Sequence, residues 1–258
     1  MSYIDVHCHL DLRTYGELSS LIEKCGNSGV DKIITVGFDL PSSRLAASLA
    51  ERYAGVYFTA GFHPTELKEY DAAHLTEIAA LCAHKKCVAV GEIGLDYHYP
   101  DTQKQIQKDA FIAQLELAAS LKLPVQIHSR DCAEDMLKIL KEHKNLLVNG
   151  ALMHCYSHSV EIAVELEKLG FYFSFGGAAT WKGSKRANRV IAALSADRIL
   201  TETDSPYMPP LSAYGSFPNT PLAIPEICAH MAEIKGVPAE TMREKVNCNA
   251  RALFKKLG

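Results

Sequence analysis

The sequence predicts an α/β fold: a single TIM-type (β/α)8 barrel occupying residues 1–258, with its chemistry at the C-terminal ends of the strands. Three observations predict it. The first is length: 258 residues is close to the ~250 typical of such barrels and enough to bury a large core without disulfides. The second is a strict alternation of short, β-rich apolar runs with longer amphipathic segments, the pattern of βαβ units around a parallel sheet. The third is that histidines and carboxylates gather where the apolar runs end, on the barrel face that carries active sites.

A run at residues 3–7 precedes a helical pattern at 17–24, and a run at 32–37 precedes one at 42–53. Runs at 56–61 and 88–93 are followed by helical patterns at 72–84 and 103–121. Runs at 125–128, 151–154 and 171–175 lead into helical patterns at 133–143, 160–169 and 184–194. The eighth run, 198–201, is followed by helical stretches at 221–235 and 239–256. The Pro- and Ser-rich segment 206–221 between them reads as a long loop over the barrel mouth. No composition shift or low-complexity tract marks a domain boundary. Counting strands leaves an open, doubly wound sheet as the alternative.

Composition narrows the function classes. With 48% hydrophobic and 22% charged residues the chain is neither disordered nor fibrous. Its formal net charge of −3 argues against capture of duplex DNA through a broad basic face; a pocket for a small substrate or a strand end stays open. The opening MSYIDVHCHL lacks a basic and then apolar leader, and no run of ~18 apolar residues exists, so no membrane association is expected. Eight scattered cysteines without a CxxC pair predict reduced thiols and a cytoplasmic location. Cys8 and Cys155 each adjoin a histidine, and strand alternation puts both in the barrel wall. No obligate protein partner is evident.

The run ends carry the candidate chemistry. The first reads Asp5-Val6-His7-Cys8-His9, and the third Gly61-Phe62-His63-Pro64. The fourth reads Gly91-Glu92-Ile93-Gly94-Leu95-Asp96, and the fifth Gln126-Ile127-His128-Ser129-Arg130. The sixth reads Met153-His154-Cys155-Tyr156, and the eighth Thr201-Glu202-Thr203-Asp204-Ser205-Pro206. His7 and His9, two apart on a strand, point the same way. Alone they are a weak metal signal, but Glu92, His128, His154 and Asp204 join them at other strand ends. Four imidazoles and two carboxylates exceed one tetrahedral ion and suit two divalent ions sharing a carboxylate. Imidazoles favour zinc or manganese, whereas magnesium prefers oxygen, so the identity of the metal stays open among the three. Neither a GxSxG nucleophile nor a GxGxxG dinucleotide loop is present.

These motifs together (DVHCHLD at 5–11, GEIGLDY at 91–97, QIHSR at 126–130, HCY at 154–156, TDSP at 203–206 and NCNARALF at 247–254) resemble the TatD-like metal-dependent hydrolases of the amidohydrolase superfamily, over essentially the whole chain. The resemblance implies that His7, His9 and Asp204 hold one ion, that Glu92 bridges, and that His128 and His154 hold the second. Glu92 stands where many amidohydrolases carry a carboxylated lysine. In Phe217-Pro218-Asn219-Thr220-Pro221, Thr220 replaces the acid that the family often has. The resemblance also implies deoxyribonuclease action, often from the 3′ end.

Hydrolysis of this kind needs no covalent intermediate: two divalent ions acidify water, and Asp204, with Glu92 the candidate catalytic pair, accepts its proton. Substrate contacts are expected from Trp181, Lys182 and Lys185, in a segment that also holds Arg186 and Arg189 and follows the seventh strand, where barrels often bind phosphate. A solvated helix start is the plainer reading of that segment. Arg130 and His63 are candidate phosphate contacts, with His63 alternatively a buried supporting group. The expected partner is DNA as single strands or strand ends. His74, His84, His143, His158 and His230 are assigned to helices as packing or surface groups, His98 and Tyr97 could line the mouth, and Asp11 supports its loop. A small-molecule amidohydrolase or lactonase with the same binuclear site is the alternative function; a degenerate binding scaffold is a third.

Overall fold

A computed structural model describes residues 2–258. Eight parallel strands, β1 (Tyr3–Cys8), β2 (Val30–Val36), β3 (Val56–Ala60), β4 (Cys87–Asp96), β5 (Val125–Arg130), β6 (Ala151–Met153), β7 (Tyr172–Phe175) and β8 (Ile199–Thr201), form one sheet in the order β1 to β8. This consecutive order excludes a doubly wound sheet, and the fold is a TIM-type (β/α)8 barrel. Closure runs through the segment just past β8: Asp204 N donates to His7 O (2.9 Å), and His9 N donates to Ser205 O (2.7 Å). The seam of the barrel therefore holds Asp204 beside His7 and His9.

Helices alternate with the strands: α1 (Leu12–Tyr15), α2 (Leu18–Asn27), α3 (Leu40–Arg52), α4 (Ala72–Cys82), α5 (Lys104–Leu121), α6 (Ala133–Glu142), α7 (Val160–Lys168) and α8 (Lys185–Ala193). Two more, α9 (Ile224–Lys235) and α10 (Ala239–Leu253), close the chain. Local chemistry starts several of them. Asp39 and Ser42 form a reciprocal capping box at α3, and Asp71 and Ser159 cap α4 and α7. Helix α1 escapes sequence reading because one turn shows no apolar period; its signal is Asp11, whose carboxylate accepts from Arg13 N and Thr14 N.

The two ends of the barrel differ chemically. At one end Ile4, Val6, Ile34, Val88, Leu152 and Leu200 pack with Phe254 and Leu257 from the C-terminal helical segment into an apolar plug. Apolar burial at that end leaves the strands' C-terminal ends for polar groups. Among the described residues no helix is long and apolar enough to cross a membrane, and all eight cysteines are free. Cys8 is fully buried among apolar neighbours as expected. Cys155 is not in the wall: β6 ends at Met153, and Cys155 turns back with φ 43° and faces the cavity half-buried.

Strand β4 reaches Asp96, three residues beyond the apolar run, with all ten residues buried. Its extension depends on Gly94, which adopts φ +146° opposite His128 on β5. A Cβ there would lie 2.0 Å from His128 O, so only glycine lets the two strands run this close. That approach sets Glu92 and His128 side by side.

Candidate metal centre

Glu92 is 4% exposed and lies at the centre of the strand ends. Its Oε2 is 3.5 Å from His7 Nε2 and 3.8 Å from His9 Nε2. Its Oε1 is 2.9 Å from His128 Nδ1, 2.8 Å from His154 Nε2 and 3.6 Å from His63 Nε2. Asp204 Oδ1 completes the first side, 3.7 Å from His7 Nε2 and 3.4 Å from His9 Nε2. The six residues that the sequence nominated for metal binding thus come together from β1, β4, β5 and the segments after β6 and β8.

The outward nitrogen of each imidazole faces an acceptor. Gln126 donates from Nε2 to Val6 O (2.8 Å), which leaves its Oε1 to accept from His7 Nδ1 (2.9 Å). His9 Nδ1 donates to Val36 O (3.2 Å), and His128 Nε2 donates to Asp96 Oδ2 (3.1 Å). His154 Nδ1 has no hydrogen-bond partner among the described residues and lies 3.7 Å from Glu202 Oε2. With the outward nitrogens protonated, the inward ones present lone pairs. His7 Nε2 and His9 Nε2 then oppose each other at 3.3 Å beside two carboxylates. Acceptors converging without a donor fit a cation, and imidazoles backed by carboxylate or amide oxygens are the usual outer support of metal-ligating histidines. The donor set can therefore hold divalent metal.

The electrostatics agree. Burial would by itself raise Glu92, but the imidazoles facing it, His154 foremost, hold its carboxyl well below the usual range. Burial would lower His9, His128 and His154, yet the carboxylates around them raise all three. The cluster thus draws positive charge to itself. His63 is the exception: burial pushes it down to about 3, so it stays a neutral imidazole at the second side of Glu92.

Supporting residues were harder to read from the chain. Glu202 is fully buried, accepts from Cys155 N (2.7 Å) and Ser174 Oγ, and sets its charge towards His154. Burial pushes Asp5 up to about 8; it accepts from Thr203 Oγ1 (2.6 Å) and Thr203 N (3.1 Å), tying the end of β8 to β1. Exchanging Glu202 for glutamine keeps its volume but removes the charge facing His154. We expect divalent-ion affinity to fall about 10- to 100-fold, read by calorimetric titration with manganese. Unchanged affinity would mean that the backbone alone orients His154.

The centre lies at the floor of a cavity of about 1090 Å³. Arg130 and Trp181 line it, and His63 sits at its floor against Glu92. Lys182 and Lys185 do not line it; both are exposed, and Arg186 takes that place. For Lys185 the reason is helical geometry, since it and Arg186, one apart at the start of α8, diverge by about 100°; Lys182 lies in the turn before the helix. Tyr97 points elsewhere and donates to Asp135, His98 pairs with Asp131 at the surface, and Tyr99 lines the mouth instead. His158 is not in a helix: it precedes α7, and its Nε2 lies 2.7 Å from Ser129 Oγ. Thr220 makes no ion pair; Asn219 Oδ1 accepts from Thr220 N while its Nδ2 donates to Thr203 O and Tyr207 O. Asn219 thereby holds the loop without an acid.

A sequence model of the family described as TatD related DNase matches residues 4–255. The chain is 38% identical to a Bacillus subtilis (strain 168) protein named uncharacterized metal-dependent hydrolase YabD, over 97% of this chain and 98% of that one. It is 32% identical to the 3'-5' ssDNA/RNA exonuclease TatD of Klebsiella pneumoniae (strain 342), over 91% of this chain and 90% of that one. Among solved structures, the TatD homolog YjjV from Escherichia coli K12 superposes with a TM-score of 0.92 at 31% identity, with 98% of each chain covered.

Proposed function

This chain belongs to the TatD-related DNase family of metal-dependent hydrolases, and from that premise we propose that it removes nucleotides from the 3′ end of single-stranded DNA with two divalent ions shared across Glu92. One observation carries the reading: the two oxygens of Glu92 face different imidazole sets, His7 and His9 on one side and His128 and His154 on the other. His7, His9 and Asp204 would hold one ion and His128 and His154 the other, with Glu92 serving both. The imidazole-rich donors favour manganese or zinc, with magnesium the weaker match. When bound, such ions polarise a phosphoryl oxygen and acidify water enough for attack near neutral pH.

The chain's own groups complete the reaction. Asp204 lines the cavity, and although burial would raise its carboxyl, His9 and its neighbouring imidazoles hold it below the usual range. Ionised, it can take the proton of the attacking water. Arg130 and Arg186 on the cavity wall can meet phosphate oxygens, and Trp181 offers a face to a base. A cavity of about 1090 Å³ is at the top of the usual small-ligand range and suits a nucleotide better than a lactone or small cyclic amide. We place the enzyme in the cytoplasm, where its eight free cysteines stay reduced.

The test is a 5′-labelled single strand incubated with manganese-loaded protein. Stepwise shortening from the 3′ end is expected, stopped by a chelator and restored by added metal. Intact DNA beside rapid turnover of a lactone would move the assignment to the small-molecule alternative.

A further inference from the structure

We infer that the 206–221 loop extends the site beyond the cavity as a stacking rail for the unpaired bases of a single strand, an inference that rests on the reading of the metal centre as a phosphodiesterase. Two ring pairs lead outward. Trp181 and Tyr207 line the cavity. The indole meets Tyr214 edge-on with ring centroids 5.3 Å apart, and Tyr207 lies 6.4 Å from Phe217. The outer members, Tyr214 and Phe217, are 66% and 67% exposed.

The rings are exposed on backbone that is tied down. Asn219 Nδ2 donates to Thr203 O (3.1 Å) and Tyr207 O (2.9 Å), Trp181 Nε1 donates to Pro209 O (2.8 Å), and Leu211 N donates to Thr180 Oγ1 (2.7 Å). Large rings held out in water contribute little to the core, and a run of them beside a cavity marks a contact surface.

Charge identifies the occupant. Lys182, Lys185, Arg186 and Arg189 stand around and after Trp181, and none has a carboxylate within ion-pair distance among the described residues. Glu226, the acid at the loop, accepts from Ser212. Unpaired cations in the segment that carries Trp181, with Arg186 lining the same cavity, in a chain of net charge −3, match the backbone phosphates and free bases of a single strand. A duplex, whose bases already stack on one another, offers the rings nothing. Stacking is indifferent to base identity and to the sugar, so DNA and RNA strands share the required chemistry.

The test reads binding rather than turnover. Metal-loaded protein is titrated by fluorescence anisotropy with phosphorothioate decamers, which resist hydrolysis: oligo-dT, oligo-rU and an abasic strand of equal charge. The wild type is expected to bind oligo-dT at least about tenfold more tightly than the abasic strand. Tyr214→Ala and Phe217→Ala each lose about tenfold on oligo-dT and nothing on the abasic strand. Tyr214→Phe and Phe217→Tyr keep the wild-type preference. Oligo-rU matching oligo-dT supports the shared chemistry, and a bias between them names the natural strand while keeping the rail. Equal wild-type affinity for oligo-dT and the abasic strand overturns the inference. So do alanine variants that weaken both strands alike, or that leave oligo-dT binding intact and so hand the face to a protein partner. If nucleotides are released but the base preference is absent, only the rail fails; if the preference is present without hydrolysis, only the nuclease reading fails.

Discussion

Replacing Glu92 with glutamine lowers turnover of metal-loaded protein by about 10³-fold, because polarisation by bound ions is worth several kcal/mol and each ~1.4 kcal/mol is a factor of ten. Glutamine matches the size of Glu92, so the substitution isolates charge and donor character. Four of the surrounding imidazole nitrogens lie within 3.6 Å of one or other carboxylate oxygen. An amide puts a neutral oxygen towards one imidazole set and an NH2 donor towards the other, and neither can share two ions. The measurements are kcat on bis(p-nitrophenyl) phosphate and metal content by mass spectrometry, with fewer than two equivalents expected in the variant. Wild-type turnover with two ions retained would rule out Glu92 as the shared ligand.

Gly94→Ala destabilises the protein by more than about 4 kcal/mol, which for a chain of this size lowers the melting temperature by about 10 °C. Two effects add. The backbone sits at φ +146°, a region that side chains with a Cβ rarely enter, and the new Cβ would meet His128 O at 2.0 Å. Strand β5 can yield only by carrying His128 away from Glu92, so activity falls with stability. Gly183→Ala is the control: nothing lies within 4 Å of its Cβ position, and its effect is expected within about 0.5 kcal/mol. Calorimetry on both variants checks the pair. A Gly94→Ala protein melting within two degrees of wild type would show that β4 and β5 separate freely.

Much of the barrel was legible because burial between helices and a parallel sheet leaves a local trace. Val-, Ile- and Phe-rich runs such as 56–60 and 88–93 report strands buried on both faces, and the capping residues Asp39, Asp71 and Ser159 stand where the helices begin. Reading failed where the trace was short or mixed. Helix α1 is a single turn, and the last residues of β4 hid behind Gly94. Cys155 looked like strand alternation, but β6 had already ended. Lys185 is indistinguishable from Arg186 in the sequence, and only the rotation of α8 turns it away from the cavity.

The candidate site divides in the same way. His7, His9, Glu92, His128, His154 and Asp204 could be nominated from the chain because each follows an apolar run, and in a barrel every such end reaches one face. By itself, then, the sequence determined the barrel, the face that carries chemistry and the metal-type donors on it, since these depend on order along the chain and on local periodicity. Only the tertiary structure decided which nitrogen of each imidazole looks inward and what steadies the other. His7 is set by Gln126, 119 positions away, and the turn after His154 by Glu202, 47 positions from Cys155. It also decided that Arg186, Tyr214 and Phe217 stand at the mouth. Contacts between distant segments arise from closure of the barrel and from the rotation of each helix, and neither leaves a mark in the spacing of residues.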